Sequence, residues 1–402
     1  MRGRVTMRVV QELPTSADIV VIGGGIVGAA TAFFLARSGR SPLLLERTSQ
    51  LASATTSVSA HAIRCQFTEP ENIAQMSESL AIYESFGETI GDPSIQISLI
   101  QNGYLFASTD PADLPGFTDR VARQSELGVT DVELLDGEEI RYRFPWMSDD
   151  ICIGAFRGRD GWIDSGLATQ AFATASNAPV ALETDVTKIE VCSGRVSAVI
   201  TSRGRVETES IVLAAGPYSR DICPEPLPVA LWRRHRIITD PDNRVPQGAP
   251  MTIDANTGAH WRPHLGGALI AWAQPEQDRT ATWPVECDPD WPDLVLRSDR
   301  GIGRLSPFWN EIAAEISPDQ YLFTAGLYTV TPDHKPLIGP ANETTGLYLN
   351  TGYSGHGIMG SPSGSRLLAD LVAGTARSAD NPFDPGRFAS GTRPPDVEQI
   401  VL

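Results

Sequence analysis

The chain has 402 residues, 41% apolar and 20% charged, which suits two domains or one large composite domain and excludes disorder as its main state. Acidic residues outnumber basic ones by 49 to 32, and the resulting net charge of −17 repels nucleic acid and anionic membrane surfaces. No stretch approaches the roughly 18 consecutive apolar residues of a membrane span. Five scattered cysteines, Cys65, Cys152, Cys192, Cys223 and Cys287, include no C-x-x-C pair for zinc or redox work. The expectation is a cytoplasmic small-molecule enzyme with reduced thiols, no metal, and neither nucleic acid nor membrane as partner.

Residues 1–16 carry Arg2, Arg4 and Arg8 but no apolar core, so they read as a loose lead-in. Residues 18–22 form a β-branched run that feeds directly into Gly23, Gly25, Ile26, Val27 and Gly28, a G-x-G-x-x-G in its required strand-to-helix context. Gly23 allows the tight turn, Gly25 lets the backbone approach a pyrophosphate, and Gly28 lets the helix pack on the strand. Val27, Ala30, Phe33 and Phe34 give the helix an apolar face, and Gly39 closes it. A second strand, 42–45, ends at Glu46, 23 residues after Gly23, where a carboxylate can accept hydrogen bonds from a ribose. This is a complete dinucleotide-binding βαβ start, and FAD and NAD share it.

Ser53, Ala54, Thr55, Thr56 and Ser57 make a small, hydroxyl-rich run able to hydrogen-bond phosphate oxygens, although any loop could carry such a run. Further on, a helix is expected over 167–174, then a β-meander over 180–189, 195–201 and 205–213 with turns at Gly194 and Gly204. The run 210–216, ending in Ala215 and Gly216, reads as a later strand of the same nucleotide unit, which is therefore assembled from separated segments. Six of the eight tryptophans fall in 226–320: Trp232, Trp261, Trp272, Trp283, Trp291 and Trp309. Large side chains of this kind fill a sheet core, or one or two of them, Trp261 or Trp272 first, wall a pocket. A last helix is expected over 363–373, and the proline-rich stretch 382–395 as a surface strap or loose tail.

Residues 23–47, the turn at Ala214, Ala215 and Gly216, the run 326–333, and Gly352 to Gly357 together resemble the D-amino-acid oxidase superfamily, most closely its sarcosine oxidase and glycine oxidase branch. The resemblance covers almost the whole chain. It implies FAD as cofactor and an α/β, two-domain fold: a Rossmann-like FAD-binding domain from 17–95, 151–225 and 321–390, and an antiparallel-sheet substrate domain from 96–150 and 226–320. Residues 1–16 and 391–402 are then tails. It places Arg47, Val186, Gly326, Gly355, His356, Gly357 and Ile358 at the FAD along with the motif residues above. It also places Arg64 on the substrate carboxylate, a role suited to a planar, permanently charged fork, with structural pairing as the alternative. Tyr328, Tyr353, Met359 and Trp272 are expected to line the substrate pocket, and His61 is either a basic group near the flavin or a packed hydrogen-bonding one.

Three departures from that branch accompany the matches. Gly326 stands where a cysteine bonds the flavin, so FAD is expected to be non-covalent. Met359 stands where a second carboxylate-binding cation is found, and Ile270 aligns with a lysine above the flavin. The expected reaction is oxidation of glycine or, preferably, an N-substituted glycine bearing an apolar group larger than methyl, with O2 reduced to H2O2. A D-amino-acid or imino-acid dehydrogenase and the flavin subunit of a larger oxidase are the alternatives; no oligomeric state is implied.

Overall fold

A computed structural model describes residues 6–274, 277–388 and 396–398. The run at 18–22 becomes the strand Ile19–Ile22, buried on both faces, in the middle of a six-stranded sheet. The sheet order is Leu337–Pro340, Leu347–Thr351, Ile211–Leu213, Ile19–Ile22, Pro42–Leu45, Val180–Ala181. All neighbours are parallel except the first pair. Parallel strands of this kind are covered on both sides, which is why they read as continuous apolar runs.

One face is covered by the helices Ile26–Arg37, Ser165–Ala175 and Gly357–Ala373, with Pro70–Glu84 packed behind the last. On the other face, Val20, Ile22, Leu43 and Leu45 share a cluster with Val186, Ile189, Val196, Val199 and Val206. Those valines and isoleucines belong to a three-stranded antiparallel sheet, Val186–Cys192, Arg195–Thr201, Gly204–Glu207. The helix Ile26–Arg37 is apolar nearly all round because it lies between the sheet and two other helices.

Several elements differ from the sequence reading. Residues 180–189 and 205–213 each split: Val180–Ala181 and Ile211–Leu213 extend the parallel sheet, and only the inner parts form the meander. The lead-in is not loose from Arg8 onward. The Val180 carbonyl accepts from Val10 N while Val180 N donates to the Arg8 carbonyl, and the Glu207 carbonyl accepts from Ala17 N while Glu207 N donates to the Thr15 carbonyl, so the segment adds to two strand edges at Val9 and Ser16. The last helix starts at Gly357, six residues before its expected start, and contains Pro362. The carbonyl of Ile358, which Pro362 cannot serve, accepts from the Tyr83 hydroxyl at 2.6 Å instead. At the other end, Ile338 donates to the Phe383 carbonyl and Arg387 pairs with Asp333, so residues 382–388 form a packed strap. Glu398 is buried against the backbone of Thr68 and Glu69. Residues 1–5, 389–395 and 399–402 lie outside the described residues.

The second large sheet has eight strands in the order Tyr321–Val330, Ala230–Thr239, Gly267–Trp272, Ala259–His264, Met251–Asp254, Tyr104–Ser108, Ile153–Arg157, Glu133–Asp136. Its only parallel pair is Met251–Asp254 with Tyr104–Ser108. It takes in Ile153–Arg157 and Tyr321–Val330, two segments expected on the nucleotide side. Tyr321–Val330 pairs with Ala230–Thr239 along its full length, so the sequence boundary near 320 falls inside a sheet.

Alternation along these strands decides what each face carries. Registers Arg236↔Ala271↔His260 and Arg262↔Leu269 put those residues on the face turned toward the nucleotide-binding part, with Met251 and Tyr104 farther along. The opposite face carries Ile237, Ile270, Trp272, Trp261 and Ala259, which pack with Trp291 and Trp309 of the helices Trp291–Arg297 and Phe308–Glu315. Trp261 and Trp309 meet edge to face, with ring centroids 5.6 Å apart. Among the described residues no helix is long and apolar enough to cross a membrane.

Candidate functional site

The strand Ile19–Ile22 ends at Gly23, whose φ of +111° only glycine adopts freely, and the chain turns there into the helix Ile26–Arg37. A side chain at Gly28 would place its Cβ 1.9 Å from the Gly23 carbonyl oxygen, so Gly28 is the point of closest helix-to-strand approach and lies behind the turn. In front of the turn is a cleft of about 520 Å³. Gly23, Gly25, Ile26 and Val27 form its floor, and Ser53, Ala54, Thr55 and Thr56 run along one wall. Val186, Ala215, Gly216 and Arg47 border one end; Gly355, Gly357, Ile358 and Tyr328 line another part.

The residues fit a dinucleotide. The helix N-terminus opens into the cleft with no acidic residue in its first turn, which favours a pyrophosphate there. Glu46 lines the cleft while its carboxylate accepts from Gly24 N (2.7 Å), Thr48 N (2.8 Å) and Thr48 Oγ1 (2.7 Å), so it is held in place with one lone pair, on Oε2, left for a ribose hydroxyl. The Arg47 guanidinium lies 3.6 Å from the centre of the Tyr218 ring and 5.1 Å from that of Trp283.

Two smaller cavities continue from the cleft beneath the eight-stranded sheet. One, of about 40 Å³, is walled by Arg64, Tyr104, Met251, Met359, His61 and His356. The other, of about 20 Å³, lies against Arg234, Arg236, Ala271 and Gly326. They share Ser59, Ala60, His260 and Tyr328. Among the described residues no carboxylate lines either one.

Arg64 is 2% exposed, donates through Nη1 to the Gln66 carbonyl, and lies 3.8 Å from the Phe67 ring centre. Burial pulls its pKa below the usual arginine value. His61 offers no free base. Its Nδ1 meets Ser165 Oγ at 2.6 Å and its Nε2 accepts from Arg236 Nη1 at 3.2 Å. Burial, with Arg262 and Arg236 adjacent, pushes its pKa down to about 3, so it is a neutral hydrogen-bonding spacer. His260 donates from Nδ1 to the Gly258 carbonyl at 2.8 Å, which leaves Nε2 as an acceptor; burial pushes its pKa down to about 4. Tyr328 borders the cleft and both cavities.

Several expected site residues sit elsewhere. Ser57 is exposed, and its hydroxyl turns back to the carbonyls of Ser53 and Ala54, away from the cleft. His356 lines the 40 Å³ cavity, not the cleft, and its Nε2 donates to the His334 carbonyl at 3.0 Å. Gly326 also stands outside the cleft, with Val58 Cγ2 only 2.5 Å from where its Cβ would be. Tyr353 borders the cleft, but its hydroxyl donates to Asn350 Oδ1 at 2.6 Å inside the helical core, so it presents no polar group to a substrate.

Trp261 and Trp272 belong to the far face of the sheet. Trp272 touches the 20 Å³ cavity, yet its indole N–H donates to the Thr257 carbonyl and it packs in the tryptophan cluster. Ile270 is fully buried on that same far face, so the residue of its strand that faces the cavity is Ala271. The residues missed from the sequence are His260 and Tyr104. Arg236 belongs to the basic run 232–236, which reads from the sequence as a solvated strand edge or, failing Arg64, as the next carboxylate site; the alternating Arg234 and Arg236 in it were the available signal.

A family model described as FAD dependent oxidoreductase matches residues 18–371. FAD-dependent oxidoreductase domain-containing protein 1 of Xenopus laevis is 28% identical over 415 residues, covering 89% of this chain and 79% of that protein. The mitochondrial sarcosine dehydrogenase of Homo sapiens is 26% identical, covering 94% of this chain but 42% of its own length. Among solved structures, L-proline dehydrogenase from P. horikoshii superposes with a TM-score of 0.82 at 26% identity, over 95% of this chain and all of that one.

Proposed function

The chain belongs to the family of FAD dependent oxidoreductases, and from that premise we propose that it oxidises an N-substituted glycine, a secondary amine bearing a carboxylate. The observation that carries this reading is the placement of Arg64, a buried guanidinium in a 40 Å³ cavity that adjoins the FAD cleft at Tyr328, Gly355 and Ile358. A planar fork in a partly dry site holds both oxygens of a carboxylate. The walls Tyr104, Met251 and Met359 leave little room for a side chain on the α carbon, which favours glycine derivatives over larger amino acids.

FAD held in the cleft by Gly23, Gly25, Glu46 and Thr55 would supply a hydride acceptor, which would let the nitrogen lone pair form a C=N bond to the α carbon. The protein's part is orientation: Arg64 fixes the carboxylate, and the neutral Nε2 of His260 accepts from the amine N–H so that the nitrogen lone pair stays available. Water then adds to the imine, giving glyoxylate and a free amine. The acceptor proposed to take the two electrons from the reduced cofactor is O2, reduced with two protons to H2O2. One observation favours a dehydrogenase instead: the cavity-facing position of the strand Gly267–Trp272 is Ala271, so this strand puts no cation over the site. Five free thiols support a cytoplasmic location.

Anaerobic bleaching of the FAD by a panel of glycine, sarcosine, longer N-substituted glycines and D- and L-amino acids tests the substrate class. Bleaching confined to D-amino acids would remove this reading. Reoxidation of the reduced protein in air, with peroxide measured, separates oxidase from dehydrogenase.

A further inference from the structure

Arg236 is 5% exposed, and all its hydrogen bonds run through Nη1: to the carbonyls of Ser57 (2.9 Å) and Ser59 (2.8 Å) and to His61 Nε2. Its Nε has no hydrogen-bond partner. Two carbonyls and a neutral imidazole need a donor but not a charge, and no carboxylate among the described residues pairs with this guanidinium. Burying a cation without a counter-ion is costly, and burial pulls its pKa down to about 10. Arg262, 2% exposed, adds a second such cation nearby, bonded to the Ala60 and Pro263 carbonyls. Arg234 and Arg236 both line the 20 Å³ cavity and give it a positive wall; of the tryptophans expected to make it apolar, Trp272 touches it while packing in the far-side cluster, and Trp261 lies wholly on the other side of the sheet.

We propose that this cavity receives a second carboxylate of the substrate, held by Arg236, so that the preferred substrate is a secondary amine with an acid on each arm. This rests on the reading that Arg64 holds the glycine carboxylate. The two cavities meet at His260 and Tyr328, which sets the amine at His260 between the two acids. The N-substituent is then short and anionic, not long and apolar.

The test compares kcat/KM of the holoenzyme for N-(2-carboxyethyl)glycine and N-(2-carbamoylethyl)glycine, which differ only by acid against neutral amide. The acid should be preferred at least about 30-fold, with most of the difference in KM. Two variants read the source of that ratio. Arg236→Gln removes the charge, and Ala271→Asp places a carboxylate next to Arg236 across the strand pair, occupying it from within. In both, the acid-to-amide ratio should fall to within about threefold of one. A wild-type ratio near one overturns the inference while leaving the N-substituted glycine reading intact, and so does a ratio unchanged in both variants. Failure of both compounds and of every other N-substituted glycine to bleach the flavin overturns the underlying reading as well. If neither variant folds, the wild-type ratio decides.

Discussion

Replacing Arg64 by methionine separates carboxylate binding from cofactor binding, because Arg64 walls the 40 Å³ cavity and takes no part in the FAD cleft. Methionine keeps much of the apolar stem and removes the fork, whose guanidinium carbon lies over Phe67. At 2% exposure, no bulk water reaches the place of the lost charge, so a bound carboxylate would be desolvated without a partner. Breaking such a buried pair costs about 3–5 kcal/mol, which is roughly two to three and a half decades in kcat/KM. The assay is stopped-flow flavin reduction under anaerobic conditions, with FAD content and thermal unfolding as controls. Full FAD occupancy with a large loss of reduction rate is the expected result, and Arg64→Lys should recover only part, since an ammonium supplies charge without the fork. Full FAD occupancy with near-normal kcat/KM would refute the reasoning and move the carboxylate to Arg236.

FAD should separate from acid-precipitated protein, leaving a yellow supernatant, because no cysteine lines the cleft and burial holds the Cys65 and Cys223 thiols protonated, at pKa values of about 12 and about 11. Gly28→Ala forces a Cβ to within 1.9 Å of the Gly23 carbonyl unless helix and strand separate, so the flavin-to-protein ratio of the purified variant should drop severalfold and stability by about 3 kcal/mol. His61 and His260 are held neutral in the fold, at about 3 and about 4 against an ordinary 6.5. Between pH 6.5 and 4 the unfolded chain binds protons the folded chain does not, so their contribution is full above pH 6.5 and falls with pH by up to about 1.4 kcal/mol per unit for each histidine. Chemical denaturation across that window should show the loss, and His260→Asn should shallow it.

The nucleotide-binding half was legible because its signals are local. Gly23, Gly25 and Gly28 have separate steric duties within one turn, and Glu46 ends the very next strand, so short sequence spacing and spatial proximity coincide. Even there, hydroxyls were read too generously. Ser57 belongs to the same small-residue run as Thr55 and Thr56, but one further residue along the loop is enough to turn its side chain toward Ser53 and Ala54. The segments at either chain end were misjudged for a different reason. Whether residues 8–17 lie loose or add to a strand edge depends on Val180 and Glu207, far away in sequence.

The substrate half was harder because it depends on the faces of strands joined across long loops. A strand read one residue out of register exchanges its two faces. Ile270 read as cavity-facing makes the roof apolar and brings Trp272 to mind as a wall; Ala271 in that place turns both into the far-side core and hands the roof to the residues paired with it, Arg236 and His260. The same alternation converts the run 232–236 from an evenly charged edge into a strand with His235 against Trp291 and Phe323 on one side and Arg236 under the flavin-side loop on the other. A chain of net charge −17 thus encloses, at the inner end of its FAD cleft, cavities walled by arginine and histidine and by no acid among the described residues. Overall charge describes the surface that neighbours meet, whereas substrate charge is set by the few side chains whose strand parity points them inward.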